Sequence, residues 1–234
     1  MSEVKGYIFD YGGTLDTGGN HWGKVLWHSY ERLGVPVTEQ QFRDAYVHAE
    51  RTLGSNHIIM PDFTFRQTLE TKVRLQLEWL SAMSLPVSIE TIASVLTDDV
   101  YAQTQEHTAH SREVLMQLKE QYPMVLVSNF YGNIATMLRE FGLDGIFQHI
   151  IESAVVRVRK PDPRIFQMGV LELNMPAGEV IVVGDSIDKD IIPAQKAGCQ
   201  TVWMRGEQWT DDPVDESIPD RIITDLKELI IKNN

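Results

Sequence analysis

The chain has 234 residues, which suits one large domain or a core carrying a smaller insertion, and 43% of them are hydrophobic, enough to bury a full core. A formal net charge of −12 argues against nucleic acid or an anionic membrane surface as partner, although a bound cation and one well-placed lysine can reverse the field locally and admit an anionic substrate. The single Cys199 excludes an internal disulfide, charged Lys5 and Asp10 interrupt any leader-like run, and no apolar stretch is long enough to span a bilayer, so the expectation is a soluble cytoplasmic protein.

The first element is a short apolar run, Tyr7-Ile8-Phe9, that ends on Asp10 and is followed by Gly12-Gly13-Thr14. Apolar run, acid, then glycine reads as a buried strand that delivers a carboxylate to a tight turn. Helical periodicity then dominates from Asn20 to Thr108. Thr38 and Gln41 form a capping-box pair ahead of Phe42, Tyr46, Ala49 and Leu53, and Thr64 with Gln67 repeats it ahead of Leu69, Val73, Leu77 and Leu80. Ser88 is expected to cap a helix carrying Ile89, Ile92, Leu96 and Val100, with Gly54-Ser55-Asn56 and Leu85-Pro86 as turns.

From Ser111 the pattern changes. A helix with Val114, Leu115 and Leu118 leads into the continuous apolar run Met124 to Val127, which ends at Ser128-Asn129. Asn133 is expected to cap the next helix, which Gly142 stops. A weaker strand pattern lies between Gln148 and Val158, and Asp162-Pro163 reads as cap plus first helical residue. Val180 to Val183 is the cleanest strand and ends at Gly184-Asp185-Ser186; a helix closing at Gly198, the strand Thr201 to Met204, a short Ile222-Ile223 strand and an Asp225/Glu228-capped helix complete the chain. Strands alternating with helices imply an α/β fold with a doubly wound parallel sheet, and continuous apolar strands imply burial on both faces. Parallel strands end at one edge, where ligands bind.

Asp10, Ser128-Asn129, Lys160 and Asp185 therefore fall at or just past consecutive strand ends, with Asp190 at the start of the next helix. Carboxylate oxygens suit Mg²⁺, a carboxylate can attack phosphorus, and a cation with Lys160 can offset charge on a transferring phosphoryl group. Ser128 can donate a hydrogen bond to one of its oxygens.

In this order and spacing, Ile8-Phe9-Asp10-Tyr11-Gly12-Gly13-Thr14-Leu15-Asp16, Val125-Leu126-Val127-Ser128-Asn129, Arg159-Lys160-Pro161-Asp162-Pro163-Arg164-Ile165-Phe166 and Val183-Gly184-Asp185-Ser186-Ile187-Asp188-Lys189-Asp190-Ile191 make the chain resemble the haloacid dehalogenase-like hydrolase superfamily, on its phosphatase side. The resemblance implies a Rossmann-like core, residues 1–16 and 95–234, with an all-helical cap inserted at residues 17–94. It implies that Asp10 is nucleophile and Mg²⁺ ligand, that Gly12 gives its carbonyl to the metal, and that Asp185 and Asp190 supply the other carboxylates. Ser128, Asn129 and Lys160 would bind the phosphate of a small phosphorylated metabolite.

The family's phosphatases carry a second Asp two residues after the nucleophile, as proton donor and later general base. Here that position is Gly12, which has no side chain for either task. Loss of a general acid costs about 10²–10⁴ in rate, so the resemblance implies retained metal binding with an impaired or relocated acid/base step. A catalytically inactive member that binds phosphate or a partner is one alternative. A metal-free dehalogenase, which carries Tyr at that position, fits less well because Tyr11 stands one place early. A phosphonatase would need a cap lysine for a Schiff base, and Lys24 and Lys72, the two cap lysines, read as solvated helix charges. Asp16 is a possible stand-in donor but more simply a turn former; His21, His28, Trp22 and Trp27 flank the entrance to the helical block, with packing roles as the simpler reading.

Overall fold

The computed structural model describes residues 3–83 and 88–230. The expected Leu85-Pro86 turn lies outside the described residues. Strand β1 (Gly6–Phe9) is followed by helices α1 (Trp22–Arg32), α2 (Glu39–Ser55), α3 (Phe65–Ala82) and α4 (Ile89–Lys119). Then come β2 (Met124–Ser128), α5 (Ile134–Glu140), β3 (His149–Glu152), α6 (Ser153–Val156), α7 (Arg164–Leu173), β4 (Val180–Gly184), a wide turn (Ile187–Ile191), α8 (Ile192–Lys196), β5 (Gln200–Met204), β6 (Arg221–Ile223) and a final turn (Leu226–Leu229).

The strands form one six-stranded sheet, in the order β3-β2-β1-β4-β5-β6, with every pairing parallel. Strand β1 is central, and successive residues alternate between two apolar layers. Tyr7 and Phe9 join a core that runs into the helical block through Phe42, Leu77 and Leu96. Ile8 faces the other way, onto Phe166 and Ile165 of α7. Burial on both faces is why β1 and β2 carry no polar alternation.

Both capping boxes form as the sequence implies, at Thr38/Gln41 and Thr64/Gln67, and a third closes on Asp225/Glu228 around a single short turn. Several local expectations are corrected. Helix α2 continues through Gly54 and Ser55 and stops at Asn56, whose amide nitrogen and side chain both donate to the Thr52 carbonyl. The two helices read on either side of Thr108 are one 31-residue helix, α4, because neither Gly nor Pro interrupts Ile89 to Lys119; it runs through position 94/95. Its buried Thr104 and Thr108 return their hydroxyls to carbonyls one turn back, and Ser111 donates to the Leu15 carbonyl, tying the helix to the loop after β1. Ser88 does not cap through its side chain. Nor does Asn133, whose amide donates instead to the Phe63 carbonyl and the Thr68 hydroxyl. The strand expected between Gln148 and Val158 ends at Glu152, where the chain turns into α6 and then into a left-handed Arg157. Among the described residues no helix is long and apolar enough to cross a membrane.

Candidate active site

The winding direction reverses between β1 and β4, which is where a doubly wound sheet leaves a crevice at its C-terminal edge. Asp10 follows β1 and Asp185 follows β4, so their carboxylates meet across that crevice. Asp190 arrives from the wide turn after β4, and one oxygen each of Asp10, Asp185 and Asp190 lies within 4.8 Å of the others. All three residues are buried. Lys160, carried by the loop after α6, donates from Nζ to Asp10 Oδ1 at 2.5 Å and to Asp190 Oδ1 at 2.6 Å.

Two glycines permit this approach. A Cβ on Gly13, whose φ is +100°, would lie 2.5 Å from the Asp185 carboxyl carbon, and one on Gly184 would lie 2.4 Å from Asp190 Cβ. The Thr14 hydroxyl sits between two of the acids, 3.3 Å from Asp10 Oδ2 and 3.1 Å from Asp185 Oδ1. The sequence reading gave Thr14 no role; its signal was the fixed step of four residues after Asp10. The Ser186 amide donates to Asp190 Oδ2.

One ammonium faces three carboxylates, and the balance shows in their titration. Burial, then the Asp190 and Asp10 charges, push the Asp185 carboxyl well above the usual range. Burial raises Asp190 to about 6 against the pull of Lys160. Burial alone would lower the Lys160 ammonium, but Asp10 and Asp190 outweigh it and hold the charge above the usual lysine range. Among the described residues Asp185 makes no salt bridge, feels Lys160 only through space, and takes a side-chain hydrogen bond from Thr14 alone. A buried, under-neutralised set of hard oxygen donors fits a small divalent cation.

The cluster forms the floor of a cleft of about 650 Å³. Asn129 lines it, and its amide is engaged on both sides by Lys160: Nδ2 donates to the Lys160 carbonyl and Oδ1 accepts from the Lys160 amide. Asn129 thereby fixes the backbone that carries the ammonium. Ser128 is buried just before it, and its hydroxyl has no hydrogen-bond partner among the described residues. Gly12 also lines the cleft; a Cβ there would meet only the Trp22 indole, 3.8 Å away.

Asp16 faces elsewhere. It lines a separate cavity of about 110 Å³, accepts from the Gly13 amide and the Trp22 indole N–H, and burial raises it to about 8. It acts as a turn former and as the brace for Trp22, whose ring does line the cleft. Trp27 packs on Phe42, and exposed His28 pairs with Glu31 and Glu207. His21 lines the cleft as the N-cap of α1: Nδ1 accepts from the Gly23 amide, which leaves the ring proton on Nε2, and burial lowers the imidazole to about 4. Tyr11 is fully enclosed, edge-on to Phe130.

The helical block adds a group that no motif marked. Lys72 is not a solvated charge: it lies 2.7 Å from Glu50 inside the cleft, with Tyr131 donating to the other Glu50 oxygen. Burial would lower this ammonium, but Glu50 and the Tyr131 and Tyr46 hydroxyls raise it well above the usual range. Lys24 is buried as well, between Glu39 at 3.6 Å and Glu207 at 3.7 Å.

A family model described as haloacid dehalogenase-like hydrolase matches residues 4–198. The chain is 25% identical to a phosphoglycolate phosphatase of Vibrio parahaemolyticus, over 98% of this chain and 96% of that one. It is 25% identical to the 5-amino-6-(5-phospho-D-ribitylamino)uracil phosphatase YigB of Escherichia coli, over 78% of this chain and 60% of that enzyme. With a glyceraldehyde 3-phosphate phosphatase of Pyrococcus furiosus the match is 33% over 38% of this chain and 37% of that one; the chain thus spans only part of the length of the last two relatives. Among solved structures, the HAD-hydrolase YfnB of Bacillus subtilis, bound to magnesium, covers 97% of both chains with a TM-score of 0.59 at 19% identity. A dehalogenase covers 100% of both with a TM-score of 0.64 at 18% identity. At such identities these two share the fold.

Proposed function

Since the chain belongs to the haloacid dehalogenase-like hydrolases, we propose that it is a phosphatase of that family, cleaving a small phosphorylated metabolite by transfer of the phosphoryl group to Asp10. The observation that carries this reading is the buried Asp10–Lys160–Asp190–Asp185 cluster at the floor of the cleft. We read residues 17–94, which hold α1 to α3 and the start of α4, as the cap that closes over it.

Asp10, Asp185 and Asp190, with the carbonyl of Gly12, would hold Mg²⁺. When bound, the ion supplies charge neutralisation that lets an anionic phosphoryl group approach a carboxylate. The protein's own groups do the rest. One Asp10 oxygen attacks phosphorus while the leaving oxygen departs, giving an aspartyl phosphate that water then hydrolyses. Lys160 holds Asp10 in place and its ammonium faces the charge that builds on the phosphoryl oxygens. Ser128, whose hydroxyl has no partner among the described residues, donates to one of those oxygens. Asn129 keeps the Lys160 backbone fixed.

The leaving group finds no acid at Gly12. Asp16 does not face the cleft, and His21 is neutral at physiological pH with its Nε2 proton available as a hydrogen-bond donor. Substrates with good leaving groups are therefore favoured. A Schiff-base mechanism would need an unprotonated lysine, and Lys72 is held as an ammonium by Glu50. The enclosure of Tyr11 argues against its use as a dehalogenase side chain.

The test is phosphate release from acetyl phosphate and p-nitrophenyl phosphate with MgCl₂, for the wild type and Asp10→Asn. Release that Asp10→Asn abolishes is expected. Undiminished release by that variant would remove Asp10 as nucleophile, and no release by the wild type would favour a protein that binds phosphate without turnover.

A further inference from the structure

Beyond the acidic floor the cleft opens into an annex of about 780 Å³, and the two share His21, Tyr46, Glu50, Tyr131, Arg159 and Lys189 as walls. The annex has the opposite charge. Arg51 reaches it from α2, Arg157 and Arg159 from the loop after α6, and Lys189 from the turn after β4. All four are exposed, and among the described residues none of their side chains makes a hydrogen bond or ion pair. Several basic side chains elsewhere are tied to carboxylates, as with Arg32, Arg43, Arg66 and Arg74, and others to backbone carbonyls, as with Arg112, Lys119 and Arg221. Glu50 is the single acid among the described residues lining the annex, and Lys72 neutralises it.

In a chain of net charge −12, four unpaired cations around one cavity run against the composition. They also arrive on the elements that build the catalytic floor: Arg159 precedes Lys160, and Lys189 precedes Asp190. A cleft with carboxylates at one end and free cations at the other suits a ligand whose phosphoryl group sits at the floor while a second negative charge lies in the annex. Arg51 comes from the helical block and the other three from the sheet side, so an anion held between them also links the two.

We propose that the substrate carries a second anionic group, a carboxylate or a phosphate, and that Arg51, Arg157, Arg159 and Lys189 receive it in the annex. This deepens the phosphatase reading and rests on it for the position of the first phosphoryl group.

The experiment measures binding, with ligands that are not hydrolysed. Propylphosphonate, 3-phosphonopropionate and propane-1,3-bisphosphonate are titrated calorimetrically in MgCl₂ into the wild type and into the Arg51→Gln/Arg159→Gln variant. In the wild type at least one of the two doubly anionic probes is expected to bind about tenfold or more tightly than propylphosphonate, and the tighter of the two identifies the second group as carboxylate or phosphate. In the variant that preference should fall towards one. Equal affinity for all three in the wild type, no binding of any probe, or a preference that survives in the variant would overturn the assignment. Both substituted side chains are exposed and unpaired, so a thermal unfolding midpoint matching the wild type confirms that the variant is folded. Absence of phosphate release from p-nitrophenyl phosphate would refute the Asp10 chemistry while leaving this binding comparison intact.

Discussion

If the proposed mechanism lacks a general acid because position 12 is glycine, placing an acid there should supply the proton transfer. Gly12 is not in the left-handed region, and a Cβ there would make only ordinary contact with the Trp22 indole at 3.8 Å, so Gly12→Asp can be accommodated. The new carboxyl enters a cleft in which Asp10, Asp185 and Asp190 share one ammonium. Their charge and partial burial favour its protonated form, the form an acid needs. A positioned general acid is worth about 10²–10⁴ in rate, or about 3–5 kcal/mol of barrier. That gain should appear in kcat/KM for β-glycerol phosphate, an alkyl ester whose alkoxide must be protonated as it leaves. For p-nitrophenyl phosphate, whose leaving group departs as a stable anion, the gain should stay below about tenfold. In the proposed mechanism kcat/KM reports transfer to Asp10, so slow hydrolysis of an aspartyl phosphate would not blur the comparison. Gly12→Ala fills the same space without an acid and should change neither substrate's rate by that margin. An equally stable Gly12→Asp protein with no selective gain on the alkyl ester would refute the reasoning and imply that another group already delivers the proton.

The neighbouring glycine should behave in the opposite way. Gly13→Ala places a Cβ 2.5 Å from the Asp185 carboxyl carbon at a φ of +100°, and thermal unfolding should register a loss of more than about 2 kcal/mol. Lys160→Met strips the ammonium from Asp10 and Asp190; in chelator, denaturant titration at pH 7 should show a loss of about 3–5 kcal/mol, shrinking as the pH falls and the acids protonate. His21 gives a pH signature. It protonates near 6.5 when unfolded but only near 4 when folded, so the unfolded state binds the proton first and stability is lost as pH falls through that window. His21→Asn keeps a side-chain acceptor at the α1 N-cap and removes the titration, so the wild type should lose about 3 kcal/mol relative to it between pH 7 and pH 4. A difference independent of pH would mean that His21 is not held neutral.

Local chemistry explains what was readable along the chain. The capping boxes at Thr38 and Thr64 depend on residues three apart, and the apolar runs of β1, β2 and β4 reflect burial on both faces, so each was visible without the fold. Asp10 and Asp185 are brought together because parallel strands end at one edge, whereas Asp190 joins them from the turn after β4 and Lys160 from the loop after α6, eight residues beyond the end of β3. The misread features depend on distant partners. Asn133 and Ser88 have the chemistry of caps, but Asn133 is drawn off by Phe63 and Thr68, some 65 or more residues away in sequence. Helix α4 reads as two segments in the sequence because the change from helical block to alternating pattern falls within one continuous helix.

Local patterning and residue identity account for the α/β class, for Asp10 and Asp185 at strand ends and for the missing side chain at Gly12. What surrounds Gly12 depends on the three-dimensional packing. It set Trp22 against that position with Asp16 braced behind it, and it drew Lys72 into the cleft against Glu50. It also gathered Arg51, Arg157, Arg159 and Lys189 around one annex. These groups come from separate helices and loops with no fixed spacing between them. The charge environment of a cleft is a property of their convergence in space, which no local pattern along the chain encodes.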